Sequence, residues 1–263
     1  MPDNPSDSLF GCHLPLHRGG LGAPAPVRQI QVFKQLSKTD KHIEYYKNMF
    51  HIIVPIMSGH NPDVKDDFIS FAADAIEIED YILSRYGKEI YAVYRMSMGG
   101  VLTATLWQNN RLTFDKVIFD GSPLVSYNKL MKGFMKKFYV DITHKSQQRD
   151  RKTVEQATKV IISEDNLEYF LKVLDNMSDV TIENSIDGIA DFKLSQRINT
   201  PNTVVYFFHG TAINEILAKK SAKYVKKHHP NTTVKCFKGK FHCENALFNP
   251  EIMIVELDKI FDK

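Results

Sequence analysis

Residues 90–108 read IYAVYRMSMGGVLTATLWQ, and this stretch decides the architecture. Ile90–Tyr94 is an apolar, partly β-branched run of strand length, and from Met98 onward Leu102 and Leu106 fall on one helical face. Almost no sequence separates the two elements, so the chain turns sharply from strand into helix. Ser97 stands in that turn, followed by Met98 and the paired Gly99 and Gly100. A serine in this position lifts its hydroxyl above the end of a sheet, beside the N–H groups and positive dipole of a helix N-terminus, where a developing negative charge is stabilised. The plainer role for Ser97 is that of a helix N-cap.

Working outward, strand-length apolar runs alternate with helix-period segments through most of the chain, the pattern of βαβ units around a mainly parallel sheet. His51–Met57 reads as a buried strand ending in the turn cluster Ser58-Gly59-His60-Asn61-Pro62, and Ser70–Tyr86 reads as a helix through Phe71, Ala75, Ile78 and Ile82, stopped by Gly87. Lys116–Phe119 is the next strand, running into Asp120-Gly121-Ser122-Pro123. Between Ser126 and Ile198 helical periods dominate and no core strand appears, which marks an insertion. Alternation resumes with the strand Thr203–Phe208, the helix Glu215–Lys227, the strand Thr233–Phe237 and a last helix opened by Asn249 and Pro250. The expected organisation is a core of residues 1–125 and 199–263 interrupted by a helical segment, 126–198. Leu9–Leu16 reads as the opening strand of a three-layer α/β/α fold with about six strands, and the glycines and prolines that follow, Gly19 to Pro26, read as loop.

A nucleophilic serine needs a base. Phe237-Lys238-Gly239-Lys240-Phe241-His242 gives a strand end, a turn glycine and a histidine late in the chain, so His242 is the candidate base, with a structural histidine as the plain reading. A carboxylate must then orient the imidazole and stabilise its charged form. After the strand Thr203–Phe208 the sequence is His209-Gly210-Thr211-Ala212-Ile213-Asn214-Glu215, with no aspartate and Glu215 as the nearest acid. Asp120, closing the preceding strand, competes with it, and both stay open. An oxyanion hole needs two backbone N–H groups, and Met98, directly after the serine, offers one. In enzymes with such a strand-turn-helix serine the other comes from an early loop that often reads His-Gly. Leu16-His17-Arg18-Gly19-Gly20-Leu21-Gly22 resembles that loop with an arginine inserted, making Gly19 or Gly20 the candidate and a plain loop the alternative. His17 and His60 are candidates to line the substrate site.

Composition narrows the alternatives. The 263 residues are 43% hydrophobic and 25% charged, enough for one large core. A net charge of +3 and a pI near 8.5 come from basic residues spread along the chain, which implies no nucleic-acid footprint. The lysines of Glu215–Lys227 lie opposite Ala218, Ala222 and Val225 and read as a solvated helix face. No apolar run approaches the roughly 20 residues of a membrane span. Met1–Pro5 lacks the features of a signal peptide. Cys12, Cys236 and Cys243 are an odd count with no C-x-x-C pair, pointing to a reducing cytoplasm without a metal site.

The strand HIIVPIM with its SGHN turn, the elbow SMGG and the G-x-x-H segment ending at His242 together resemble the α/β-hydrolase superfamily, in particular its small bacterial serine hydrolases with a helical cap. The resemblance covers roughly residues 45–125 and 203–261. It implies an esterase, lipase or related acyl hydrolase acting on a small acyl substrate through a Ser-His-acid triad, with the cap shaping the acyl pocket and with no cofactor. Two departures stand out. Arg95 occupies the place of the leading glycine of the family's G-x-S-x-G elbow, where a long side chain must swing out or loosen the turn. The chain also begins too late for the two antiparallel strands that usually open the sheet. The competing reading is a catalytically impaired protein of this fold that binds a ligand or partner.

Overall fold

The computed structural model describes residues 29–33, as backbone, and 41–261. Six strands, β1 (Gln29–Phe33), β2 (His51–Ile53), β3 (Glu89–Met96), β4 (Thr113–Asp120), β5 (Val204–Gly210) and β6 (Thr232–Phe237), form one sheet in the order β2-β1-β3-β4-β5-β6. Every described pairing is parallel. Parallel neighbours need crossovers, and helices supply them: α1 (Lys41–Tyr46), α2 (Phe71–Arg85), α3 (Gly99–Asn109) and α8 (Ile216–His228) lie between strands, while α9 (Glu244–Phe248) and α10 (Pro250–Ile260) follow the last one.

Alternate residues of the central strands face opposite layers, as the two-residue period of a strand requires. Val93, Val117, Phe119 and Phe207 pack with Ile78 and Ile82 of α2, Leu102 and Leu106 of α3 and Ala222 of α8. Tyr94, Ile118 and Phe208 point the other way, to Tyr46 of α1 and to Met253 and Leu257 of α10. The result is the expected three-layer α/β/α arrangement. Four helices occupy the segment between β4 and β5: α4 (Lys129–Gln147), α5 (Arg151–Val160), α6 (Leu167–Asn176) and α7 (Asp179–Asp191). Polar residues start them as caps should: Asn128 accepts the Met131 N–H at 2.8 Å, and Ser178 accepts the Thr181 N–H at 3.0 Å.

Two boundaries differ from the sequence reading. The strand expected over His51–Met57 pairs only as far as Ile53, because Pro55 has no N–H to give and β2 lies at the sheet edge. The helix expected from Glu215 starts at Ile216, after a 3-10 turn over Ile213–Glu215. The first described strand is Gln29–Phe33, and the strand expected over Leu9–Leu16 lies outside the described residues. The alternation Ile30, Val32 in QIQVF is the sequence signal for β1, a strand that the sequence reading does not include.

Candidate active site

The carboxyl edge of the sheet is where the candidate groups meet. β3 ends at Met96 and α3 begins at Gly99, so Ser97 must reverse the chain almost alone; it does so with φ of 50°, a left-handed conformation that costs a non-glycine residue on the order of 1 kcal/mol or more. Its amide donates to the Asp120 carbonyl at 2.7 Å, which ties the turn to the end of β4. The glycines after it are dictated by space. A Cβ on Gly100 would stand 1.9 Å from Ser122 Oγ, and one on Gly99 would stand 2.7 Å from Arg95 Cδ.

His242 arrives from the loop after β6 and lies between a hydroxyl and a carboxylate. Its Nε2 is 2.8 Å from Ser97 Oγ, across 145 residues of sequence. Its Nδ1 is 2.5 Å from Glu215 Oε1. With the proton on Nδ1, the ring donates to Glu215 and accepts from the Ser97 hydroxyl, the tautomer that leaves Nε2 able to take that proton. Glu215 is fully buried, yet both its oxygens are used: Oε2 accepts the Gly210 N–H at 2.5 Å. The 3-10 turn after β5 folds the glutamate back onto its own strand end, and Gly210 permits this because a Cβ there would meet the Lys240 carbonyl oxygen at 2.1 Å.

Asp120 sits at the tip of β4, 3% exposed, and its Oδ2 accepts the Tyr94 hydroxyl at 3.4 Å. Burial pushes its carboxyl up to about 7, against the pull of the His242 ring, while Glu215 adds to the rise. Between the two acids left open by the sequence, Glu215 is the one hydrogen-bonded to the imidazole, and Asp120 supports the turn through its backbone carbonyl. Met98 caps α3 with helical φ and ψ, which places its amide in the first turn beside the serine. His60 lies buried in the turn after β2, where Nδ1 donates to the Ser58 carbonyl at 2.8 Å and the ring meets Phe68 edge-on; burial lowers its pKa to about 4, so it is a neutral turn histidine. His17, Gly19 and Gly20 lie outside the described residues.

Arg95, which the sequence set against a tight elbow, is 2% exposed. Strand alternation sends its side chain to the α2 and α3 side of the sheet, where its stem lies alongside Gly99. Desolvation lowers its pKa to about 9, and the Asp74 carboxylate of α2 opposes that shift. Asp74, in turn pushed up to about 6 by burial, accepts the Ser58 N–H at 3.1 Å. The arginine therefore swings out under the turn instead of opening it.

Among the described residues no cluster of His, Cys, Asp and Glu is arranged to hold a metal ion, and no helix is long and apolar enough to cross a membrane. Cys236 and Cys243 are free thiols, and Cys12 is not described.

No protein-family model matches the chain, and no curated protein matches it by sequence. Solved structures do. A protein described as belonging to the alpha/beta hydrolase family, from Desulfitobacterium hafniense, superposes with a TM-score of 0.67 at 11% identity, over 89% of this chain and 96% of that one. An esterase from Exiguobacterium antarcticum gives 0.65 at 15% identity, over 91% and 94%. The 2-hydroxy-6-oxo-6-phenylhexa-2,4-dienoate hydrolase of Rhodococcus sp. strain RHA1 gives 0.64 at 16% identity, over 91% and 92%. Near-complete coverage of both chains in each comparison identifies the architecture: this chain has the fold of the α/β-hydrolase superfamily.

Proposed function

We propose that the chain is a serine hydrolase that cleaves a small ester or related acyl substrate. The observation that carries this reading is the continuous hydrogen-bonded line from Ser97 Oγ through His242 to Glu215. Ser97 attacks the acyl carbonyl carbon while His242 Nε2 takes the hydroxyl proton, and the negative charge that forms on the carbonyl oxygen is met by the Met98 amide at the start of α3. As the bond to the leaving alcohol breaks, Nε2 returns its proton to that oxygen. Water then attacks the acyl-serine, His242 takes and returns a proton in the same way, and the acid leaves. Glu215 holds the ring and stabilises its charged form.

The second oxyanion donor is assigned to Gly19 or Gly20, and the segment 126–198 to a cap over the acyl pocket, between core parts 1–125 and 199–263. The odd cysteine count supports a cytoplasmic setting, and the donor set of the site calls for no metal or cofactor. Arg95 would favour a silent, ligand-binding protein if it disturbed the elbow; the strained Ser97 and its 2.8 Å contact with His242 favour hydrolysis instead. A fluorophosphonate probe tests the reading directly. Wild-type protein should be labelled at Ser97 and Ser97→Ala should not, whereas unlabelled wild-type protein would overturn it.

A further inference from the structure

Helix α4 carries a ridge of large apolar side chains that faces away from the protein. Leu130 is 86% exposed, Phe134 67% and Phe138 47%, each four residues from the last, so they form a single row along the helix, with Met131 and Tyr139 exposed beside it. The Phe134 and Phe138 rings are near-parallel, with centroids 6.3 Å apart. The outward face is fixed by the inward one. Lys132 pairs with Asp187 at 2.8 Å and Asp191 at 2.7 Å, Lys136 pairs with Asp187 at 2.7 Å, and Met135 packs against the main core. Rows of exposed aromatics on a water-soluble surface mark a place of contact.

The chemistry of the row selects what it contacts. From Lys129 to Phe138 the only polar side chains are lysines, and the first acidic residue is Asp141. Of the lysines, Lys129 and Lys137 are exposed along one flank of the row. A protein partner would require matched hydrogen-bond donors and acceptors around an apolar centre. An apolar row flanked by flexible cations suits a lipid headgroup region, where aromatics enter the acyl boundary and lysine stems lie along it with their charges on anionic phosphates. A second exposed apolar spot follows β5: Ile213 and Ile216 are exposed beside the turn that carries Glu215, followed by the exposed Lys219 and Lys220. α4 follows β4 and this turn follows β5, so both leave the carboxyl edge at which Ser97 and His242 meet.

We infer that the α4 row seats the protein on the surface of an anionic phospholipid bilayer, with Phe134 and Phe138 inserted at the headgroup level and Lys129 and Lys137 contacting anionic headgroups. Such docking would bring the carboxyl edge of the sheet to a store of acyl substrates. Binding is independent of the hydrolase reading and is read separately from catalysis. The test is co-sedimentation of the full chain with phosphatidylcholine vesicles with and without phosphatidylserine. Wild-type protein and Ser97→Ala should bind the phosphatidylserine vesicles alike, and high salt should weaken that binding. The double variant F134S/F138S should partition about tenfold or more weakly, and K129E/K137E should lose the preference for phosphatidylserine. Unchanged circular dichroism of each variant assigns the loss to the surface. Failure of the wild type to bind, binding indifferent to these substitutions, or self-association of lipid-free protein abolished by F134S/F138S would each overturn the inference.

Discussion

The stem of Arg95 fills the space that a methyl group on Gly99 would need: a Cβ built there falls 2.7 Å from Arg95 Cδ and 3.1 Å from Nε. The elbow therefore keeps its trailing glycine for a reason set by its own leading residue, Arg95. Gly99→Ala should destabilise the protein by about 1–3 kcal/mol in urea denaturation, as overpacking does in a filled interior. In an Arg95→Gly background most of that cost should vanish, although Arg95→Gly itself removes the buried cation opposite Asp74 and should lower stability. A double-mutant cycle measures the coupling.

The two carboxylates at the site should separate by substitution. Glu215→Gln removes the charge that holds the His242 ring and favours the wrong tautomer, so kcat should fall about 1,000- to 10,000-fold with little change in KM. Asp120→Asn keeps the shape of a side chain bonded to Tyr94 and should change kcat by less than about tenfold. Steady-state kinetics on a chromogenic ester checks both. The reverse ranking would move the acid role to Asp120.

Gly121 has φ of 62°, and a Cβ on it would lie 2.7 Å from Cys243 Sγ and 2.8 Å from His242 Cε1. Gly121→Ala should push the imidazole off its line to Ser97 and reduce kcat by about 100-fold, the scale of loss expected for misplacement of about 1 Å. Probe labelling of Ser97 should slow in parallel.

Asp120 also leaves a signature in stability against pH. Its folded pKa of about 7 lies above the unfolded value near 3.8, so the native state holds a proton that the unfolded chain has lost. Its contribution is full below about pH 4 and declines as pH rises toward 7. Asp74, raised to about 6, acts in the same direction, while His60, lowered to about 4, works oppositely below about pH 6.5. Asp120→Asn should remove the Asp120 part, so its stability relative to wild type should grow between pH 4 and pH 7. Denaturation midpoints across that range measure the change.

Much of this arrangement could be read in the chain. The strand-to-helix junction at Ser97 and the late histidine at His242 announce themselves through apolar periodicity and turn residues, which are local signals. The acid did not: Asp120 ends β4 and Glu215 stands a few residues past the end of β5, and only the 3-10 turn that folds Glu215 back onto the Gly210 amide decides between them. Nor was the accommodation of Arg95 legible, since it depends on which face of β3 the side chain takes and on Asp74 lying opposite it. The short β2 shows the same limit. Pro55 ends its pairing although the apolar run continues to Met57.

The 2.8 Å contact between Ser97 and His242 joins residues 145 apart in the chain, with the four helices α4 to α7 between them. On a ribosome the elbow emerges long before the imidazole. Under the proposed reading, a polypeptide released before β6 and the loop after it would carry Ser97 with nothing to deprotonate it, so a nascent or truncated chain would stay inert toward acyl substrates until His242 had been made and folded into place.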